Sequence, residues 1–160
     1  MTIEGILKRE LIAPDVEAAT QAELFAYAAE KLIALGYVSP GYDEKLMQRE
    51  EHFPTGLATK SMDVAIPHTD SHVVQESFIF VLKVNGAVPF HQMGTFPQDN
   101  VLVYPRMVFI LGFVKDELQL EILQALMGLF NEVAIMEQLA EIEDAGQLFN
   151  TLRQQLARIT

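Results

Sequence analysis

Three continuous apolar stretches constrain the fold of this 160-residue chain more than any other feature. They cover residues 63–67, 77–84 and 101–113, and the last stretch is interrupted near Pro105. Each is short and rich in Val, Ile, Leu or Phe, without the alternation typical of a strand that has one side in water. The pattern therefore predicts a β-sheet that is covered by other elements on both faces.

Helical patterns supply that cover. Apolar residues recur at helical spacing over residues 18–35 and stop at Gly36, a typical residue after the last turn of a helix. A shorter helix is predicted over residues 43–51, with Arg49 in its last turn, followed by a loop over residues 53–61.

The helical pattern returns after the last apolar stretch. Asp116 is predicted as the N-cap of a helix that extends to Phe130, and residues 131–139 and 145–159 are predicted as two further helices. The chain shows no repeat, linker or low-complexity tract. We therefore expect one α/β layered domain that spans residues 1–160.

Composition excludes several classes of function. The chain has no cysteine, which rules out disulfides, a thiolate nucleophile and cysteine-bearing zinc sites. Its 22 acidic and 11 basic residues give a net charge of −11, which disfavours nucleic acid and anionic lipid as partners. This acidity serves either solubility or the steering of a partner with a basic face. No run approaches the roughly 18 apolar residues of a membrane span, so we expect a cytoplasmic protein without membrane insertion.

The most chemically informative segment contains His68. This residue follows a short apolar stretch and Pro67, so we expect it at the carboxyl end of a strand, where α/β sheets place their sites. A neutral imidazole is a competent nucleophile near pH 7, since its unperturbed pKa is about 6.5. Arg49 lies upstream and its guanidinium is suited to phosphate oxygens. The pair is typical of a reversible phosphohistidine site.

At these residues the sequence resembles the type-2 (fructose and mannitol) IIA proteins of the bacterial sugar phosphotransferase system. The resemblance rests on Arg49-Glu50, then Thr55-Gly56, then Ala65-Ile66-Pro67-His68, in that order. Phe53-Pro54, before the Thr-Gly pair, is similar to the galactitol-specific branch. The resemblance implies a mixed β-sheet flanked by helices on both faces.

The resemblance also implies a function. In that family a histidine, here His68, accepts a phosphoryl group from the phosphocarrier protein HPr and passes it to a IIB partner, in the galactitol-like branch to a cysteine. Arg49 and Thr55 would stabilise the phosphoryl group. Many members have a second histidine where this chain has Gln119, which donates a hydrogen bond but cannot become cationic. No metal or cofactor is expected.

Three alternatives stay open at this stage. A regulatory protein of the same fold would use phosphorylated His68 to alter the binding of another protein. A divalent-metal hydrolase would use His68, Asp70 and His72, with His91 as a further ligand, because residues at alternate positions share one face of a strand. Finally, His68 would be an ordinary core histidine.

Overall fold

The fold is described for residues 3–159, without the side chain of Glu4, from a computed structural model. Six α-helices cover this range: α1 (Ile3–Ile6), α2 (Gln21–Ala34), α3 (Tyr42–His52), α4 (Asp116–Phe130), α5 (Val133–Glu141) and α6 (Ala145–Ile159). The strands are β1 (Leu7–Glu17), β2 (Gly56–Ala58), β3 (Asp63–Ala65), β4 (Phe78–Asn85), β5 (Phe90–His91), β6 (Leu102–Val103) and β7 (Met107–Gly112).

Five strands form one mixed sheet in the order β1-β4-β7-β3-β2. The pairs β1/β4 and β3/β7 are parallel, whereas β4/β7 and β2/β3 are antiparallel. Strands β5 and β6 form a separate antiparallel pair beside β2. The mixed sheet confirms the predicted fold class.

Each face of the sheet has its own core. Alternate residues of β4 and β7, such as Ile79 and Phe109, pack with α1, α4, α5 and α6 on one face. Their neighbours, such as Phe80 and Ile110, pack with α2 and α3 on the other. Because helices cover both faces of the sheet, neither side of these strands faces water, and polar and apolar residues need not alternate along them. This explains the continuous apolar stretches.

The sequence predicted most of the helices and the inner strands, but not every element. Gly36 follows α2 with a φ of +83°, a left-handed conformation that favours glycine. The missed features include helix α1, strand β1, strand β2 inside the predicted loop over residues 53–61, strand β5 and the N-cap of α4. That cap is Lys115, so the prediction of Asp116 was wrong by one residue. Asp116 is the first helical residue, where its negative charge interacts favourably with the helix dipole.

Within residues 3–159, no single helix has the length and apolar content to cross a membrane. Helices α4 and α5 meet that criterion only when they are counted together, and they are bent by 89° at the break between them.

Candidate active site

His68 lies just after β3, in a segment that continues alongside β7. Strand β3 ends at Ala65, and the chain continues beside β7 because the Leu111 N–H donates to the Pro67 carbonyl at 2.9 Å. An isolated parallel bridge also pairs His68 with Leu111. Pro67 fixes its own φ and holds Ile66 extended. This confirms the prediction that the histidine follows the carboxyl end of a strand.

The imidazole ring of His68 is buried and held on two sides. Its Nδ1 lies 2.9 Å from the Ile66 carbonyl oxygen, and its ring meets Phe113 edge to face with centroids 6.0 Å apart. Because a carbonyl only accepts, Nδ1 carries the proton and Nε2 has the free lone pair. Only 8% of the residue is exposed, and this burial lowers the pKa of His68. The ring is therefore neutral near pH 7.

Arg49 occupies the last turn of α3, as predicted, and contacts two groups near His68. One guanidinium nitrogen lies 3.0 Å from an Asp70 carboxylate oxygen, and the guanidinium stacks over Phe53 at 4.6 Å from its ring centroid. Its buried Nε atom has no hydrogen-bond partner within residues 3–159. The charge of Arg49 also lowers the pKa of His68, while that of Asp70 raises it.

A cleft of about 340 Å³ opens beside Arg49. Four of its described lining residues have basic side chains: Lys45, Arg49, His52 and His72. Among the described residues of the lining, Asp70 is the one acidic member. Lys45, Arg49 and His52 recur at helical spacing along α3, which brings them to one face. This local basic character contrasts with the net charge of −11 of the whole chain.

Thr55 has a different environment from the one predicted. Its N–H and its hydroxyl both donate to the Glu50 carboxylate, each at 2.7 Å. A hydroxyl has a single proton to donate. In this arrangement the Thr55 hydroxyl is therefore committed to Glu50, and the phosphate-binding role that the resemblance implied for it does not fit the observed contacts.

Gln119 lies in the first part of α4 and is half-buried. The helix begins after Phe113, which contacts the His68 ring. Within the described residues, no hydrogen bond joins Gln119 to His68. The structure thus places Gln119 in the helix that follows Phe113, without a hydrogen bond to His68.

The geometry does not support the metal-binding alternative. Across residues 3–159, no group of three or more His, Asp or Glu side chains is arranged to hold a metal ion. His72 lies in a 3-10 turn over Ser71–Val73 and not on a strand, so the strand alternation on which this alternative was based is absent. His91 is engaged elsewhere, 3.1 Å from the Asn100 side chain.

Glu50 is the member of this region that sequence reasoning missed. In the sequence Glu50 was only a member of a motif, whereas the structure shows that it is buried. Tyr42, Leu46 and Glu50 recur every four residues on the buried side of α3. A charged residue that continues an apolar stripe was the available signal.

Comparison with known proteins places this geometry in a family. The family model described as "Phosphoenolpyruvate-dependent sugar phosphotransferase system, EIIA 2" matches residues 5–155. The chain belongs to this IIA family. The suspected resemblance at Arg49-Glu50 through His68 is thereby confirmed.

Individual IIA proteins are similar to most of the chain. The galactitol-specific EIIA component of Escherichia coli (strain K12) is 27% identical over 124 residues, covering 78% of this chain and 80% of that protein. The nitrogen regulatory protein IIA-Ntr of Neisseria meningitidis has a TM-score of 0.73 and 26% identity, covering 94% of this chain and 98% of that one. Mannitol IIA of Escherichia coli, in complex with phosphorylated mannitol IIB, has a TM-score of 0.70 and 23% identity over 95% and 99% of the two chains.

Proposed function

We propose that this IIA protein is a phosphocarrier that takes a phosphoryl group from phospho-HPr onto His68 and transfers it to a IIB partner for sugar uptake. The observation that carries the proposal is the 2.9 Å distance between Nδ1 of His68 and the Ile66 carbonyl oxygen. Because Nδ1 donates to the Ile66 carbonyl, Nε2 keeps its lone pair, and burial keeps the ring neutral. A buried neutral imidazole with one free nitrogen is suited to nucleophilic attack.

In the proposed reaction, Nε2 of His68 attacks the phosphorus of the donor phosphohistidine in line. The new N–P bond forms as the donor N–P bond breaks, and the donor imidazole leaves with its electron pair. A cysteine thiolate of IIB then attacks the same phosphorus, forming an S–P bond and returning Nε2 to its starting state. Such transfers need alignment and charge compensation more than covalent assistance.

Arg49 is the proposed source of charge compensation. Its guanidinium lines the cleft, which Thr69 and Asp70, the two residues after His68, also line, and its buried Nε is without a hydrogen-bond partner among the described residues. Asp70 neutralises it in the free protein. An arriving phosphoryl group would compete with Asp70 for a planar cation that can give two parallel hydrogen bonds. Gln119 would add at most a neutral hydrogen bond, after a shift of its side chain.

The partner and the location are parts of the same proposal. A IIB acceptor is supported by the mannitol IIA relative, which is seen with phosphorylated IIB. A cysteine acceptor is supported by the likeness to galactitol-specific EIIA. Residues 1–160 would act as one IIA domain in the cytoplasm, without a metal or cofactor.

The test is phosphoryl uptake by the purified protein from Enzyme I, HPr and phosphoenolpyruvate, followed by intact mass. We expect one acid-labile phosphoryl group on the wild type and none on His68→Ala. His91→Ala is the matched control, because it removes a histidine that lies outside the site. Full uptake by His68→Ala would refute the proposal.

A regulatory role is the second candidate, because the nitrogen regulatory relative is as similar in fold as the transport relatives. The two roles differ in the fate of the phosphoryl group. A transport component passes it to a IIB cysteine within the time of sugar uptake. A regulatory protein retains it, and its affinity for a target protein changes instead. A chase of the phosphorylated protein with purified galactitol-type IIB separates the two.

A further inference from the structure

Glu50 is a buried acid that the proposed phosphoryl transfer does not use. Only 4% of the residue is exposed. Within residues 3–159, no arginine, lysine or histidine forms an ion pair with it. A buried carboxylate without a cationic partner is costly and is held by hydrogen bonds instead. Its two hydrogen bonds, both donated by Thr55, are therefore the interactions through which it acts in the fold.

A chain of hydrogen bonds leads from Glu50 to His68. The Glu50 carboxylate accepts the N–H and the hydroxyl of Thr55, each at 2.7 Å. The Thr55 carbonyl accepts the N–H of Ile66 at 3.3 Å. The Ile66 carbonyl then accepts Nδ1–H of His68 at 2.9 Å. Each link fixes one peptide group or side chain of the segment that presents the imidazole.

The middle link continues a strand pairing. Thr55 directly precedes β2 and Ile66 directly follows β3, so their hydrogen bond extends the antiparallel pair of these two strands. Both strands are only three residues long. The Glu50 carboxyl group accepts two further hydrogen bonds at the end of this short pair.

We propose that Glu50 is a positioning residue for His68, acting through Thr55 and Ile66 to keep the imidazole proton on Nδ1 and the lone pair on Nε2. Its effect on phosphoryl transfer rests on the proposed function, whereas its effect on the tautomer does not. Glu50 follows Arg49 on α3, so one helix turn would set both the phosphate-binding cation and the orientation of the nucleophile.

The chemistry of the pair predicts which substitution preserves the chain of bonds. Alanine leaves the Thr55 N–H buried without an acceptor. Glutamine retains a carbonyl oxygen for that N–H, and its NH₂ group can donate to the Thr55 hydroxyl oxygen. Glu50→Gln should therefore keep the geometry that Glu50→Ala loses.

The decisive measurement is the tautomer of His68 in the free protein, from the ¹⁵N shifts of its two ring nitrogens. We expect Nδ1 to be protonated and Nε2 unprotonated in the wild type and in Glu50→Gln. In Glu50→Ala we expect a mixture of tautomers. Glu51→Ala is the matched control, because this neighbouring carboxylate is exposed. An unchanged tautomer in folded Glu50→Ala would overturn the proposal.

Phosphoryl uptake supplies the second readout. We expect Glu50→Ala to lower the rate at saturating phospho-HPr by about tenfold, with less than about a threefold change in the donor concentration at half-maximal rate. Glu50→Gln should restore most of that rate. Equal losses in both variants, or a loss confined to donor affinity, would contradict positioning.

A second pair of variants guards against misfolding of Glu50→Ala. Thr55→Val removes the hydroxyl but keeps the N–H bond to Glu50, whereas Thr55→Ser keeps both. We expect Thr55→Val to broaden the tautomer distribution and Thr55→Ser to resemble the wild type; equal behaviour of the two would count against the proposal. If the wild type takes up no phosphoryl group, the proposed function fails, while the tautomer experiment still decides the role of Glu50.

Discussion

Arg49 and Glu50 are consecutive in the sequence but lie in opposite surroundings. Arg49 borders a cleft and pairs with Asp70, whereas Glu50 is buried against Thr55. The Arg49–Asp70 pair is partly exposed, and such pairs contribute at most about 1 kcal/mol to stability. We therefore expect the guanidinium to matter more for phosphoryl transfer than for folding.

Arg49→Ala tests whether this residue acts in phosphoryl transfer or in folding. We expect phosphoryl uptake to slow by about 30- to 1,000-fold, equivalent to about 2–4 kcal/mol of lost transition-state stabilisation. The free energy of unfolding should change by no more than about 1 kcal/mol. Rates from rapid-quench phosphorylation and urea unfolding check the two values. Arg153→Ala is the control, because Arg153 is an exposed arginine on α6; similar losses in both variants would remove Arg49 from the site.

Glu50 predicts an unusual dependence of stability on pH. Burial raises the pKa of Glu50 to about 7 from its ordinary value near 4.5, against the opposing effect of the two Thr55 bonds. The folded state therefore holds this proton more tightly than the unfolded state. The contribution of Glu50 is most favourable below pH 4.5 and declines by roughly 3 kcal/mol as the pH rises through 7.

Glu50→Gln isolates this effect, because the glutamine amide does not titrate. We expect the variant to gain stability relative to the wild type between pH 5 and pH 8, measured by urea unfolding at each pH. The lowered pKa of His68 acts in the opposite direction, destabilising the fold in acid, and cancels in the comparison because both proteins contain His68. A constant difference between the two proteins across this range would contradict the raised pKa.

The sequence predicted His68 and Arg49 but not how Thr55 is used. A histidine after a strand and an upstream arginine are visible as residue types in order. The group to which the Thr55 hydroxyl donates depends on which side of α3 Glu50 occupies and on how far Glu50 lies from the turn that follows the helix. Those are tertiary facts, although the Tyr42-Leu46-Glu50 spacing contained part of the answer.

At the scale of elements, β1 shows where sequence patterns fail. This strand of 11 residues contains Lys8, Arg9, Glu10 and Pro14, and its pairing with β4 has two irregularities of register. Charges, proline and bulges are typical of an edge strand, which has one unpaired side. They also break the alternation by which a strand is recognised, whereas the inner strands β4 and β7 remained recognisable as apolar runs.

Leu11→Ala tests whether β1 is an integral part of the fold. Leu11 is fully buried in the core between the sheet and α2. We expect the free energy of unfolding to fall by about 2–5 kcal/mol, because the substitution removes apolar contact and leaves a cavity. Urea unfolding measures the change. Leu35→Ala is the matched control, since Leu35 is 45% exposed, and it should cost below about 1 kcal/mol. Equal effects would show that β1 packs loosely.

At the scale of the whole molecule, the net charge of the chain differs in sign from the charge of the side chains that predominate in the cleft. The chain carries a net charge of −11, yet the cleft beside Arg49 is also lined by Lys45, His52 and His72. Net charge sets the long-range field that a diffusing partner meets, whereas the cleft acts within roughly one Debye length, about 10 Å at 0.1 M salt. The proposed donor would therefore be attracted at long range by acidity and aligned at short range by basic groups.

Salt dependence separates these two effects. We expect the second-order rate constant of phosphoryl uptake at subsaturating phospho-HPr to fall by about tenfold as NaCl rises from about 50 to about 500 mM, because screening weakens long-range attraction of a basic-faced donor. The rate at saturating donor should change by less than about twofold, since transfer within the complex needs no further encounter. Sucrose at matched osmolality is the control, because it does not screen charge. A second-order rate constant that rises with salt would mean that the chain's net charge repels the donor, and the encounter would then depend on contacts made after docking.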